Sequence, residues 1–193
     1  MRPDETGMHG PKPAAHSLGD HAPRNLPRST APLGNPRDAW TRFFESAEHE
    51  IDLLAYSALF LAEDAGLLGI IEEKALNGVR VRLLLGDPDS PSVALPGKEE
   101  DIGDAMAAKV RNALTHYRPV MKSEHTEIRL HQTALYNSIY RADDHLMVNQ
   151  HAYGIPASHS PVFSLHVSNN GDMATSYLGS FERIWTSGHS IRR

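Results

Sequence analysis

The first hydrophobic pattern in the chain is helical and begins near residue 36. Asn35 and Pro36 are residue types suited to the N-cap and the first position of a helix. Apolar residues then fall on one helical face, at Trp40, Phe43, Phe44 and Ala47. Residues 51–57 follow and are almost continuously apolar, which is typical of a strand buried on both faces. The pattern therefore predicts a helix that covers one face of a sheet.

Two further segments complete a β-α-β unit. Residues 64–77 carry apolar side chains at helical spacing and stop before Gly78, a residue type that commonly ends helices. Residues 79–85 read VRVRLLL and predict a second strand. Strand, helix and strand at this spacing predict two parallel strands joined by a right-handed crossover.

The rest of the chain changes from alternating elements to a run of strands. A dense loop signal, GDPDSP at residues 86–91, precedes a helix predicted at residues 99–117. Four short strands are then predicted, at residues 126–131, 135–141, 146–151 and 162–167. A final helix at residues 172–185 would bury one face, made of Met173, Tyr177, Phe181 and Trp185.

The order αβαβαββββα predicts one α/β domain at residues 37–187, with a mixed sheet flanked by helices. The first 36 residues hold seven of the thirteen prolines and show no periodicity. Such a segment cannot bury enough apolar surface to offset the entropy of ordering, so we expect a disordered tail. We also expect a short C-terminal tail at residues 188–193.

Charge and composition exclude several function classes. The chain has 19 basic and 24 acidic residues. The first 36 residues contain four of the basic and three of the acidic residues, so the rest of the chain has 15 basic and 21 acidic residues. A body with a formal charge of −6 would be repelled by phosphate backbones, so we expect no direct nucleic-acid binding. No apolar stretch approaches the roughly 20 residues of a membrane span, so we expect a cytoplasmic protein without membrane contact.

The sequence also contains no pattern typical of a metal or cofactor site. The sequence contains no cysteine, which excludes disulfides and cysteine-based zinc sites. None of its twelve histidines lies in an HExxH arrangement. We therefore expect no metal site and no cofactor.

Three separated segments of the chain are IDLLAYSALF, LNGVRVRLLLGDPDSP and LYNSIYRADDHLMVNQHAYG, in that order. They resemble one half of a phospholipase-D-like enzyme. Together with HYRP and SFERIW, they resemble more closely a bacterial domain of unknown function found C-terminal to helix-turn-helix regulators of the XRE type. The resemblance covers residues 37–187 and implies a single phospholipase-D-like half linked to transcriptional regulation. No helix-turn-helix is predicted in residues 1–36, so we do not infer DNA binding from the resemblance. A separate helix-turn-helix protein is instead a candidate partner.

The resemblance also implies where catalytic residues would lie. Enzymes of the superfamily carry His-x-Lys-x-x-x-x-Asp, in which histidine attacks phosphorus and lysine binds the phosphate oxygens. Placing the aspartate on Asp143 puts Tyr136 in the histidine position and Ser138 in the lysine position. Shifting the motif to Asp144 restores neither group. We therefore expect a pseudoenzyme, non-catalytic or weakly catalytic, with Tyr136 and His131 as the two candidates for any residual catalysis.

Ligands of parallel α/β sheets gather beyond the carboxyl ends of the strands. That rule selects Tyr56 and Ser57 after the first strand and Asp87 and Asp89 after the second, although Asp87 can equally be a simple turn residue. On the later strands, alternation groups four polar side chains, Tyr136, Ser138, Asn149 and His151. Arg129 and His131 could replace the missing lysine and favour a small anion such as a nucleotide or phosphometabolite. Arg141 could join them or pair with a neighbouring aspartate.

Three functional hypotheses remain. The leading one is a ligand-responsive regulatory domain that forms a homodimer, because superfamily enzymes build one pocket from two halves and this chain shows no internal repeat. The second is a phosphodiesterase or other hydrolase that uses non-standard catalytic residues. The third is a protein-interaction module that acts through its dimer surface.

Overall fold

The computed structural model describes residues 36–99, 103–167 and 173–191. Its helices are α1 (Pro36–Glu45), α2 (Leu59–Glu63), α3 (Ala65–Leu76), α4 (Pro91–Glu99), α5 (Ala105–His116) and α6 (Met173–Ser187). Its strands are β1 (Glu50–Ala55), β2 (Arg80–Gly86), β3 (Thr126–His131), β4 (Asn137–Ala142), β5 (His145–Gln150), β6 (Val162–His166) and β7 (His189–Ser190). Short 3-10 turns lie at Val120–Lys122 and Ala157–His159.

The strands form one mixed sheet in the order β6-β5-β4-β1-β2-β3-β7. Strands β1, β2 and β3 are parallel, whereas β4, β5 and β6 form an antiparallel meander that joins the sheet through β1. The predicted α/β class with a mixed sheet is therefore confirmed. Strand β7 pairs with β3, so the sheet extends past the predicted domain end at residue 187.

Helices cover both faces of the sheet. Alternation along β2 sends Leu83 and Leu85 to a core shared with α1, α2, α3 and the end of α5, and sends Leu84 to a core shared with α4, α5 and α6. The second core contains Phe181 and Trp185 of α6. Burial on both faces explains why β1 and β2 read as continuous apolar runs.

The helix predicted at residues 99–117 is wrong in its start. The structure has α4 before it and begins α5 only at Ala105, and residues 100–102 lie outside the described parts. Pro91 occupies the first position of α4, where a missing N–H is harmless, so the same rule that located Pro36 could have located this helix. On the final helix, Met173 is exposed and Ala174 is buried in its place. The predicted tail at residues 1–36 lies outside the described residues except for Pro36.

The centre of the sheet contains a buried ion-pair network. Strand register places Asp52 directly between Arg82 on β2 and Arg141 on β4. Asp52 is 1% exposed, and it accepts two hydrogen bonds of 2.7 Å from Arg82 and one of 3.2 Å from Arg141. Each arginine also pairs with a second carboxylate. Arg82 pairs with Glu182 on α6, and Arg141 pairs with Glu50.

The network ties α6 to the sheet. Burial opposes the charge of Arg82, but its hydrogen bonds to Asp52 and Glu182 outweigh that effect and raise its pKa. The same guanidinium lies 4.7 Å from the ring centroid of Phe181 and 5.2 Å from that of Trp185. Cation–π contacts therefore add to the ion pairs and position α6 across β1 and β2.

None of the helices in the described ranges combines the length and the apolar character that crossing a membrane requires.

We predict that Arg82→Met destabilises the protein by about 3–5 kcal/mol, because it leaves the buried Asp52 carboxylate with only the longer bond from Arg141. Urea unfolding followed by far-UV circular dichroism measures the change. The matched control is Arg111→Gln, which breaks an exposed ion pair with Asp89 and should cost less than about 1 kcal/mol. Equal losses for the two variants would contradict a structural role for the network.

Candidate functional site

Tyr56 organises the carboxyl edge of the parallel strands. It follows β1 and is 8% exposed. Its hydroxyl accepts a 2.7 Å hydrogen bond from the backbone N–H of Leu135, and its ring stacks on His151 with 5.7 Å between centroids. Tyr56 therefore ties the end of β1 to the segments that enter β4 and leave β5.

Ser138 and His151 form a hydrogen-bonded pair beside Tyr56. Register pairs Ser138 with Asn149, so His151 emerges from β5 next to the serine. The Ser138 Oγ lies 3.0 Å from Nε2 of His151, and Nδ1 of His151 lies 3.2 Å from the carbonyl of Leu135. Because a carbonyl can only accept, the proton of a neutral His151 belongs on Nδ1, and Nε2 accepts from the serine hydroxyl.

This pair has the arrangement of a nucleophile and its base, but it is closed to substrate. A catalytic serine needs a hydrogen-bonded base and an accessible oxygen. Ser138 is only 4% exposed, because β4 lies inside the sheet between β1 and β5. The hydrogen bond therefore positions His151 rather than activating Ser138 for attack.

His131 does not supply the positive charge that the sequence suggested. The side chain is 1% exposed, its Nε2 lies 3.3 Å from the carbonyl of Ala55, and its Nδ1 accepts from the amide of Thr133 at 3.2 Å. Burial lowers its pKa from 6.5 to about 4 despite these hydrogen bonds. A neutral ring with both nitrogens engaged is neither a cation nor a free nucleophile.

Asp87 is a turn residue with a polar partner on the neighbouring strand end. Its carboxylate accepts from the backbone N–H of Asp89 and from the side chain of Gln132, both at 2.9 Å. Burial opposes ionisation of the Asp87 carboxyl. The hydrogen bonds from Gln132 and Asp89, and smaller electrostatic contributions from His189 and His131, nevertheless hold its pKa below the ordinary value. The turn interpretation is therefore supported, and the carboxylate remains charged at this edge.

The two arginines proposed for the site lie elsewhere. Arg129 packs against α6, where it bonds Glu127 at 2.7 Å and the carbonyl of Trp185 at 2.9 Å. Its guanidinium also lies 4.4 Å from the ring centroid of Trp185. Arg141 belongs to the buried network, so neither arginine reaches the cluster around Tyr56 and Ser138.

Asp143, the aspartate of the degenerate motif, is structural. It has a left-handed backbone with φ of 52°, and its carboxylate accepts from the amides of Glu48, His49 and Glu50 at 2.7–2.9 Å. Burial opposes ionisation of this carboxyl, but these three donors keep its pKa below the ordinary value. The residue therefore fixes the chain that enters β1.

The three remaining candidates, Tyr136, Asn149 and Ser57, differ in their exposure and in their contacts. Tyr136 is 82% exposed, and only its carbonyl contacts the cluster, through the amide of His151. Asn149 is buried and donates to the carbonyl of Ala157, while its Oδ1 has no partner in the described part of the chain. Ser57 is half-buried. Sequence reasoning missed Gln132, which directly follows β3 and which the carboxyl-end rule could have found.

We predict that His131→Gln flattens the dependence of stability on pH. Unfolded histidine binds a proton below its ordinary pKa of 6.5, whereas folded His131 binds one only near 4. The free energy of unfolding should therefore fall as pH decreases through this window, by up to about 3 kcal/mol from this residue. Urea titrations across the window measure the slope. His159→Gln, an exposed change, should keep the wild-type slope, and an unchanged slope in His131→Gln would contradict the burial effect.

Comparison with known proteins identifies the fold. No protein-family model matches the chain, and no curated protein matches it. Nuc from Salmonella typhimurium, a phospholipase D family member, superposes with a TM-score of 0.53 at 15% identity, over 84% of this chain and 95% of Nuc. TrmBL2, an archaeal chromatin protein with a novel mode of DNA binding, superposes with a TM-score of 0.51 at 14% identity, over 81% of this chain. The chain spans half the length of TrmBL2. The protein therefore has the phospholipase-D-like fold.

Proposed function

We propose that the protein is a non-catalytic phospholipase-D-like regulatory domain that binds a small polar ligand at the carboxyl edge of β1, β2 and β3. The observation that most supports this proposal is the hydrogen-bonded Ser138–His151 pair beside Tyr56. Ser138 lies on β4, the strand that by resemblance would carry the nucleophile and the cation in active enzymes of the superfamily, and His151 follows β5.

The candidate catalytic groups support a pseudoenzyme. The Tyr136 phenol is exposed and has no base hydrogen-bonded to it among the residues that the structure describes. His131 is neutral and fully engaged, and Ser138 is buried. General acid–base catalysis typically contributes about 100- to 10,000-fold in rate, so a site without an accessible pair forfeits that factor.

The charge of the edge favours a ligand with hydroxyl or amine groups. His151 is half-buried and is held in position by Ser138, Gln132 is exposed, and the nearby Asp87 contributes a carboxylate. Arg129 and Arg141 are paired elsewhere, so the expectation of a nucleotide or phosphometabolite loses the cations on which it depended. Hydroxyl and amine groups match the donors, acceptors and negative charge that remain.

A homodimer would enclose this edge. Tyr136 is 82% exposed and Tyr153 is 84% exposed. Both flank His151, since the carbonyl of Tyr136 accepts from the amide of His151 and Tyr153 follows two residues later. Aromatic residues exposed together are typical of protein interfaces, and a twofold axis here would bring two copies of the cluster together.

The regulatory role rests on resemblance. The sequence resembles a domain found C-terminal to helix-turn-helix regulators, and the fold is shared with TrmBL2, a chromatin protein. Fold likeness alone does not determine function, so a helix-turn-helix partner is proposed as the output of the domain rather than DNA itself. The exposed Tyr136–Tyr153 surface also favours a second candidate, a protein-interaction module without a small ligand.

We predict a stabilising ligand among polyols, amines and nucleosides tested in matched pairs with their phosphorylated forms. A ligand at 100 times its dissociation constant should add about 2.7 kcal/mol, and the neutral member of the pair should stabilise more than the phosphorylated member. Thermal shift measures the response. Ser138→Ala should abolish it, whereas Ser164→Ala, which removes another strand serine bonded to a histidine, should not.

A panel without any response, together with capture of a helix-turn-helix partner, would select the interaction module instead. A response that Ser164→Ala removes as completely as Ser138→Ala would place the ligand outside the proposed edge.

We also predict that the protein is a dimer that Tyr136→Glu with Tyr153→Glu dissociates, because buried like charges would face each other across the twofold axis. Size-exclusion chromatography with light scattering measures the mass. Leu76→Glu, at a position 67% exposed on α3, is the control and should leave the dimer intact. A monomeric wild-type protein would contradict the interface.

A further inference from the structure

A cavity of about 600 Å³ lies away from the carboxyl edge, between α5, the 3-10 turn at Val120–Lys122 and the residue after β7. It is hereafter called the basic cavity. Its apolar wall is made of Leu114, Met121 and Ile191, all partly buried against the core. Ile191 is held in place because its amide donates to the carbonyl of Ile128 at 3.0 Å.

Three cations line the basic cavity, and no carboxylate lines it among the residues that the structure describes. The cations are Arg111, Arg118 and Lys122. Arg111 pairs with Asp89 outside the cavity, and both partners of that pair are largely exposed. Arg118 and Lys122 are exposed, and neither forms an ion pair with any residue in the described ranges. Within the described residues, the cavity therefore carries at least two positive charges without an ion-pair partner, on a chain whose formal net charge is −5.

Helix α5 supplies the competing explanation for these cations. A helix carboxyl end carries roughly half a negative charge, and nearby basic residues stabilise it. The two positive charges of Arg118 and Lys122 exceed the partial negative charge at the end of α5, so the cavity keeps a positive electrostatic potential. The adjoining cavity of about 280 Å³ shares Met121 and Ile191 but carries Glu124 and Glu127, which confines the positive field to one side.

We propose that the basic cavity binds a small amphipathic organic anion, in which an apolar body carries one carboxylate, sulfonate or phosphate group. The volume falls within the range of about 300–1,000 Å³ that small-molecule pockets occupy. The apolar wall would cover the body, and Arg118 and Lys122 would bind the charged head through charge-assisted hydrogen bonds. The site is separate from the carboxyl edge, so its ligand is a second one.

Fluorescence titration of the full chain with 8-anilinonaphthalene-1-sulfonate tests the proposal. The uncharged dye N-phenyl-1-naphthylamine reports the apolar wall alone. In Arg118→Gln with Lys122→Gln, the affinity for the anionic dye should fall at least about tenfold, or about 1.4 kcal/mol, and the affinity for the uncharged dye should not. The matched control, Arg42→Gln with Lys98→Gln, removes two exposed cations elsewhere and should leave both affinities unchanged.

A second variant does not depend on charge. Thr115→Trp changes an exposed residue of the lining and fills the cavity, so it should weaken both dyes. Absence of saturable binding, equal losses in the two double variants, or an unaffected Thr115→Trp protein would each overturn the proposal. Ser138→Ala should leave dye binding unchanged, so failure at the carboxyl edge and failure here are distinguishable.

Discussion

Burial of the Asp52 carboxylate in the middle of the sheet is the constraint on which the arrangement of this protein depends. A charge that is 1% exposed requires compensation, and the register of β1 with β2 and β4 supplies it from Arg82 and Arg141 on either side. Arg82 in turn requires Glu182, which fixes α6 across the sheet. One buried charge thus aligns the parallel strands, the meander and the last helix.

The same constraint shapes the functional edge. Arg141 is committed to the network and Arg129 to α6, so neither arginine supplies a cation at the carboxyl edge. The groups described there include two pairs that bond one another, Tyr56 with Leu135 and Ser138 with His151. This arrangement is the basis for proposing recognition by hydrogen bonds rather than cleavage of a phosphodiester. The unpaired cations gather instead at the basic cavity near α5.

Local periodicity was sufficient for most of the fold and for part of the site. Strand β3 matched the prediction because Ile128 and Leu130 alternate with polar residues, whereas α4 was missed because two prolines resembled a loop. The carboxyl-end rule located Tyr56, and strand alternation placed Ser138 beside His151. Periodicity could not show that Arg129 contacts α6 or that His131 is buried, because both depend on long-range packing, against α6 and against β1 respectively.

Turnover of a chromogenic phosphodiester by the purified full chain is the most direct test of whether the protein keeps the fold without the phosphodiesterase chemistry. The predicted result is no release of product above the buffer background at saturating substrate. Turnover on the order of one per second, within the range of ordinary enzymes, would contradict it, most decisively if Tyr136→Phe abolished the rate.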